Sequence, residues 1–277
     1  GYCNLFFMTH ESQYDNMNAF LRTNGFDEIY AWEDYPSEKV VNSFGVQDDF
    51  MYQYALPVLN EKAETGNPFF CVLLSISNHP PYVIPSYFHP RSGVLEEQIV
   101  EYADWSIRQF MQAAEKQPWF DNTIFVFLGD HGKMVGTPEC EMPQSYNHIP
   151  LMIYGKDIEA GVHDGFGGQV DVSPTLLGLL NISYVQNNFG VNLLEEERPC
   201  MFFTADNLVG ARDSANMFIY SPESRQEFKY KLKEGKLHAT ADEAPFRNLK
   251  DYCFSMLQST ECLVKEHKTL DKMPVRK

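Results

Sequence analysis

The chain has 277 residues, 44% of them hydrophobic, with 15 Tyr, 21 Phe and 3 Trp, enough apolar material for one large core or a core plus a smaller subdomain. A formal net charge of -16 speaks against nucleic acid as a partner, because that binding rests on Lys and Arg neutralising phosphates. No apolar run reaches the roughly 18 residues of a membrane helix, and the six Cys show no zinc-finger spacing.

In chain order, NLFFMT (4–9) reads as an apolar strand ending at His10. A helix capped by Asp15 is expected to run to about Asn24, where Gly25 stops it. Phe26 to Trp32 reads as a short strand. A second helix starts at Asp48, with Phe50, Tyr54 and Val58 at helical spacing and Pro57 as a bend. Phe69 to Ser77 (FFCVLLSIS) is apolar almost throughout, as in a sheet covered on both faces, and runs into the rigid loop Asn78-His79-Pro80-Pro81-Tyr82.

Leu95 to Lys116 reads as a long amphipathic helix, and Thr123 to Leu128 as a buried strand ending in Gly129-Asp130-His131-Gly132. Ile149 to Tyr154 is a further strand, and Asp171 to Leu180 opens like a helix start. Beyond Cys200 the texture changes to shorter, more polar strands (MFFTAD, NMFIY, KYKLKEGKLHA), followed by a helix over Leu249 to Leu263. Within that stretch, Cys253 and Cys262 could pair only if the chain turns back between them.

This alternation indicates an α/β fold: a mostly parallel central sheet with helices on both faces, plus a small C-terminal antiparallel subdomain. The expected division is a catalytic core over 1–198, incomplete at its N-terminus, and an α+β subdomain over 199–277. Gly1 stands where a natural start would carry Met, so a preceding segment is expected.

Ligands of open α/β sheets bind beyond the carboxyl ends of the strands. Three of the strongest strands end in His10, in His79 and in Asp130-His131, and His148 immediately precedes a fourth. An isolated GDHG is equally a strand-ending turn. As a metal loop, it needs its glycines so that adjacent carboxylate and imidazole can leave the regular strand and reach one ion. His10, His79, Asp130 and His131 are expected to meet in one cleft.

The run YADWSIRQFMQAAEKQPWFDNTIFVFLGDHG (102–132) resembles the helix, turn, strand and metal loop of the alkaline phosphatase/sulfatase superfamily. MTHESQYDNMNAFLRTNGFDEIY (8–30) and SNHPPY (77–82) resemble its lipoteichoic acid synthase and phosphoglycerol transferase-like branch. The resemblance covers roughly residues 1 to 185, including the Asp171-Val172-Ser173-Pro174-Thr175-Leu176-Leu177 helix, a structural signature with no chemistry expected of Asp171.

By that resemblance, Asp130 and His131 ligate one divalent metal ion (Mn, Zn or Mg), and the histidine matching His79 binds a second zinc in some relatives. His10, His79 and His148 face the substrate's phosphate, with His148 the weakest match. Ala19 stands near the position where the synthases carry Arg, with Arg22 the nearest basic residue, which leaves head-group specificity open. No catalytic nucleophile is recognised; a Thr or Ser is expected upstream, together with an acidic metal ligand. A rival register makes Glu11 that acid.

The implied activity is transfer or hydrolysis of a phosphoglycerol- or phosphoethanolamine-type ester on a phospholipid head group or envelope glycan, through a covalent phospho-enzyme. Its implied location is extracytoplasmic, in the periplasm or on the outer face of the bacterial cytoplasmic membrane, with membrane contact only through the preceding segment. The alternatives are a sulfatase, for which Lys133 after the DHG is the matching lysine, and an inert truncated domain.

Overall fold

The first apolar run forms β1 (Cys3–Met8), whose last four residues are buried. Its side chains alternate between two faces. Leu5 and Phe7 join a core with Met51, Tyr52, Ala55, Leu59, Phe110 and Trp119, whereas Phe6 and Met8 join Leu21 and Ala31. Burial on both faces is what an uninterrupted apolar strand implies. The structure, a computed structural model, describes residues 1–186 and 188–268, so the last nine residues of the C-terminal subdomain expected over 199–277 lie outside the described residues.

α1 (Met17–Thr23) supplies Leu21. Asp15 does not cap it: Asp15 and Asn16 both take positive φ (47° and 60°), and no side chain closes the helix start. β2 (Glu28–Tyr30) runs parallel to β1. A small antiparallel pair, β3 (Val40–Asn42) and β4 (Gly45–Val46), leads into α2 (Asp48–Glu64), which keeps Pro57 inside it.

β5 (Phe69–Leu74) lies parallel to β1, with Cys3 opposite Phe69 and Met8 opposite Leu74, so the two strands end level. The sheet order is β2-β1-β5. β5 stops three residues short of the expected Ser77, and its Phe70 is 47% exposed, so the apolar run alone overstated its burial. α3 (Leu95–Ala114) buries Ile99, Tyr102, Ser106, Phe110 and Ala114, the spacing of one helical face, and packs on α2.

β6 (Phe125–Leu128) pairs with β7 (Leu151–Tyr154); between them lies the one-turn helix α4 (Gln144–Asn147). A 3-10 turn over Gln169–Asp171 leads into α5 (Val172–Leu179). The meander β8 (Met201–Ala205), β9 (Leu208–Arg212), β10 (Asn216–Ser221), β11 (Gln226–Lys233) and β12 (Lys236–Ala239) is antiparallel throughout and begins where the texture changes.

α6 (Arg247–Lys265) covers this meander, burying Leu249 and Cys253 with Phe246 on Val209, Ala211 and Phe218. Cys253 and Cys262 both lie on α6, about 13 Å apart along its axis at 1.5 Å per residue, too far for a disulfide. All six cysteines are free thiols.

The chain divides into two compact units. The first takes Gly1–Phe125 with Tyr154–Asp157, and the second Val126–Ile153 with the chain from Ile158 onward. Among the described residues, no helix is long and apolar enough to cross a membrane.

Candidate active-site loops

In the first unit, the parallel strands β1 and β5 deliver two histidines to the same sheet edge. His10, two residues beyond β1, is 3% exposed. Its Nδ1 lies 3.0 Å from the Glu11 carbonyl, and its own carbonyl accepts the Trp32 N–H at 3.0 Å. The turn passes so close to β4 that a Cβ on Gly45 would meet the Thr9 carbonyl oxygen at 1.7 Å, and Gly45 has φ +91°. Only glycine meets both demands there.

His79 is exposed on the loop after β5, with Nδ1 2.7 Å from the Pro80 carbonyl. A row of rings joins the two: His10 to Tyr14 (4.8 Å between centroids), Tyr14 to Phe44 (6.4 Å) and Phe44 to His79 (4.6 Å). The structure therefore brings His10 and His79 to one edge of one sheet.

What holds the His79 loop could not be read from the sequence. Asp48, 1% exposed, accepts the N–H groups of Ile76 (2.9 Å) and Ser77 (3.1 Å) on one oxygen. Ser77 donates its hydroxyl to the Gln47 amide oxygen (3.1 Å), and the Gln47 nitrogen donates to the Val83 carbonyl (3.1 Å). Gln47 and Asp48 thus grip both sides of the loop that presents His79. Burial pushes the Asp48 carboxyl above its ordinary value, although the Ile76 and Ser77 N–H bonds pull the other way.

Next to it, Asp49 accepts hydroxyls from Tyr87 (2.8 Å) and Tyr102 (2.5 Å). Burial and the bond to Asp49 push the Tyr87 phenol up to about 12. Two acids opening a helix are common enough that the sequence carried no sign of this role.

In the second unit, the GDHG loop follows β6. Gly132 donates its N–H to the Tyr146 carbonyl (2.8 Å), and a Cβ there would meet the Ser145 carbonyl oxygen at 2.2 Å. The second glycine of the motif is thus required by the approach of α4. Tyr146 also tilts against the His131 ring at 4.9 Å. His148 is exposed one residue beyond α4, and its N–H closes that turn on the Gln144 carbonyl at 2.8 Å.

His131 repeats the arrangement of His10 and His79, with Nδ1 2.7 Å from the carbonyl of the next residue, Gly132. A carbonyl only accepts, so Nδ1 carries a hydrogen in all three, and it is Nε2 that is left to meet a ligand. His131 Nε2 stands 3.7 Å from Asp130 Oδ2, with side chains 50% and 78% exposed. With bonds of about 2.1 Å each, both atoms can reach one ion. A backbone carbonyl on the far ring nitrogen is the usual support of a metal-ligating histidine. The pair therefore fits a divalent cation as two of its ligands. Among the described residues, no group of three or more His, Cys, Asp and Glu stands close enough to hold an ion.

The sequence model of the Sulfatase family matches residues 1–182. The chain belongs to that family. Its curated relatives place this Sulfatase-family chain in the lipoteichoic acid synthase-like branch. Lipoteichoic acid synthase 1 of Bacillus subtilis is 24% identical over 248 residues, covering 77% of this chain and 37% of the relative. The Staphylococcus aureus lipoteichoic acid synthase is 24% identical over 243 residues, 76% of this chain and 36% of its own. The chain thus spans about a third of the length of the curated relatives it matches.

Among solved structures, a protein of the alkaline phosphatase superfamily from Vibrio parahaemolyticus superposes with TM-score 0.82 at 25% identity, over 94% of this chain and 66% of that one. The lipoteichoic acid synthase LtaP of Listeria monocytogenes superposes at 0.79 and 21% identity, over 100% of this chain and 72% of its own, a likeness of fold. These likenesses bear out the α/β fold expected from the strand pattern.

Proposed function

We propose that this chain contributes to a metal-dependent centre that transfers or hydrolyses a phosphoglycerol- or phosphoethanolamine-type ester on a cell-envelope lipid or glycan, outside the cytoplasm. The observation that carries the reading is the Asp130 Oδ2 and His131 Nε2 pair at 3.7 Å, on the loop that resembles the superfamily's metal loop. Similarity to lipoteichoic acid synthases supports a phosphate rather than a sulfate ester.

A divalent ion, Mn, Zn or Mg by the mixed carboxylate and imidazole donors, would supply positive charge against the phosphoryl oxygens and lower the pKa of an attacking hydroxyl. That hydroxyl, a Thr or Ser outside this chain, forms a bond to phosphorus while the substrate's alcohol leaves with a proton. A second alcohol or water then takes the phosphoryl group and frees the hydroxyl. His10 and His79 serve the substrate at Nε2: neutral, that atom accepts a hydrogen bond from a substrate hydroxyl, and protonated it donates one to a phosphoryl oxygen. His148 is assigned to the same substrate group.

The test is Asp130→Ala and His131→Ala in the longer protein that carries the nucleophile. Metal-dependent turnover of a phosphodiester should fall at least 1000-fold (about 4 kcal/mol). Activity within tenfold of wild type, with metal content unchanged, would sink the assignment.

A further inference from the structure

The backbone of the GDHG loop is tied from a turn about 40 residues further along the chain. Gln169, in the 3-10 turn before α5, donates from its one amide nitrogen to two successive carbonyls, Gly129 (3.1 Å) and Asp130 (2.9 Å). Both hydrogens of the amide are spent, one on each peptide flanking the Asp130 α-carbon. With Gly132 fixed on Tyr146 from the other side, the loop is pinned before and after His131.

Gln169 is itself anchored. Two residues on, Asp171 is fully buried and accepts the Gly168 N–H (2.8 Å), the Val191 N–H (2.8 Å) and Arg198 Nε (2.9 Å). Arg198 also reaches Asp171 through Nη2 at 2.5 Å and donates to the Phe189 carbonyl. The turn has little room to shift: a Cβ on Gly190 would meet the Val170 carbonyl oxygen at 2.0 Å. A buried, bidentate ion pair thus fixes the turn that carries Gln169.

We propose that Gln169 is a positioning residue for Asp130 and His131, and that the Asp171–Arg198 pair exists to hold Gln169 in place. The helix opening at Asp171, a mere structural signature by sequence, becomes the outer support of the two donor atoms. Loss of the amide donor frees both peptides and lets Oδ2 and Nε2 drift apart. The metal arm of the following test rests on the proposed function; the backbone arm does not.

The experiment uses Gln169→Met, similar in size without the donor, and Gln169→Ala, in the 277-residue chain. Nuclear magnetic resonance follows hydrogen exchange at the Gly132 N–H, with the β9–β10 amides as internal reference. Mn2+ broadening of the His131 ring signal follows the ion. The variants should speed Gly132 exchange about tenfold with the reference unchanged, and shift the Mn2+ midpoint about tenfold upward, the low end of the effect of losing an outer support. Unchanged Gly132 exchange overturns the proposal, as does an equal acceleration of the reference amides, which would make the role one of global stability. If wild type shows no Mn2+ broadening at His131, the metal reading fails, and the exchange result still decides the role of Gln169.

Discussion

The two histidine-bearing regions are held by different means. In the first unit, the His79 loop hangs from Asp48, a carboxylate inside the core, and His10 is itself buried. In the second, Asp130 and His131 are exposed on a loop whose backbone carbonyls and N–H groups are tied by Gln169 and Tyr146, and the buried charges sit one step further out, at Asp171 and Arg198. The contrast fits a division of labour. On the proposed function, the substrate histidines are held from the core side, whereas donors to an ion must leave their lone pairs in the open and be steadied from behind.

The hardest way to break this comparison is to remove one partner of the Asp171–Arg198 pair. With side-chain exposures of 0% and 11%, Asp171→Ala or Arg198→Ala should cost about 3–5 kcal/mol in denaturant unfolding, because the remaining charge stays buried. Replacing both with leucine should cost less than either single change. Singles costing under about 1 kcal/mol would show that the turn is held by something else.

Asp48 sharpens the other half. Asp48→Ala leaves the Ile76 and Ser77 N–H groups without their acceptor and should cost about 2–3 kcal/mol. Asp48→Asn keeps an acceptor oxygen and should lose under about 1 kcal/mol. Since burial raises the Asp48 pKa, the unfolded chain releases this proton first. Its stabilising contribution is complete below about 3.8 and falls as pH rises through the folded value. Wild type should therefore lose stability relative to Asp48→Asn as pH rises from 3 upward; a difference flat with pH would refute the shift.

The histidines should separate stability from binding. His79→Ala, at an exposed position, should change stability by under about 0.5 kcal/mol, and His10→Ala, packed against Tyr14, by about 1 kcal/mol. Both should weaken binding of glycerol phosphate, followed by chemical shifts of the remaining ring. Unaltered binding in both variants would remove these residues from the substrate site.

The smallest effect concerns Glu28, whose pKa the Lys62 and Tyr30 hydrogen bonds hold below its ordinary 4.5. A lowered acid stabilises above its unfolded value and loses that contribution as pH falls. Glu28→Gln should therefore cost a few tenths of a kcal/mol at pH 7, the pair being partly exposed to solvent, and nothing at pH 2. Equal cost at both pH values would assign the effect to packing.

The order of strands and helices was largely legible because continuous apolar runs such as LFFM and periodic ones such as Leu95–Ala114 announce which faces must be buried. The candidate site residues stood out in the sequence because His10, His79 and Asp130-His131 each interrupt such a run at its end. Local rules failed where tertiary contacts outbid them. Asp15 left its capping position for a left-handed turn, and Phe70 stayed half in solvent despite its apolar neighbours. Cys253 and Cys262 were settled by one continuous helix. Only the tertiary structure decided what holds the candidate loops, because Asp48, Gln169 and Arg198 act across separations of about 28, 39 and 27 residues. Which distant partner a buried carboxylate or an amide meets depends on how the chain packs, and no local pattern of residues encodes that distance.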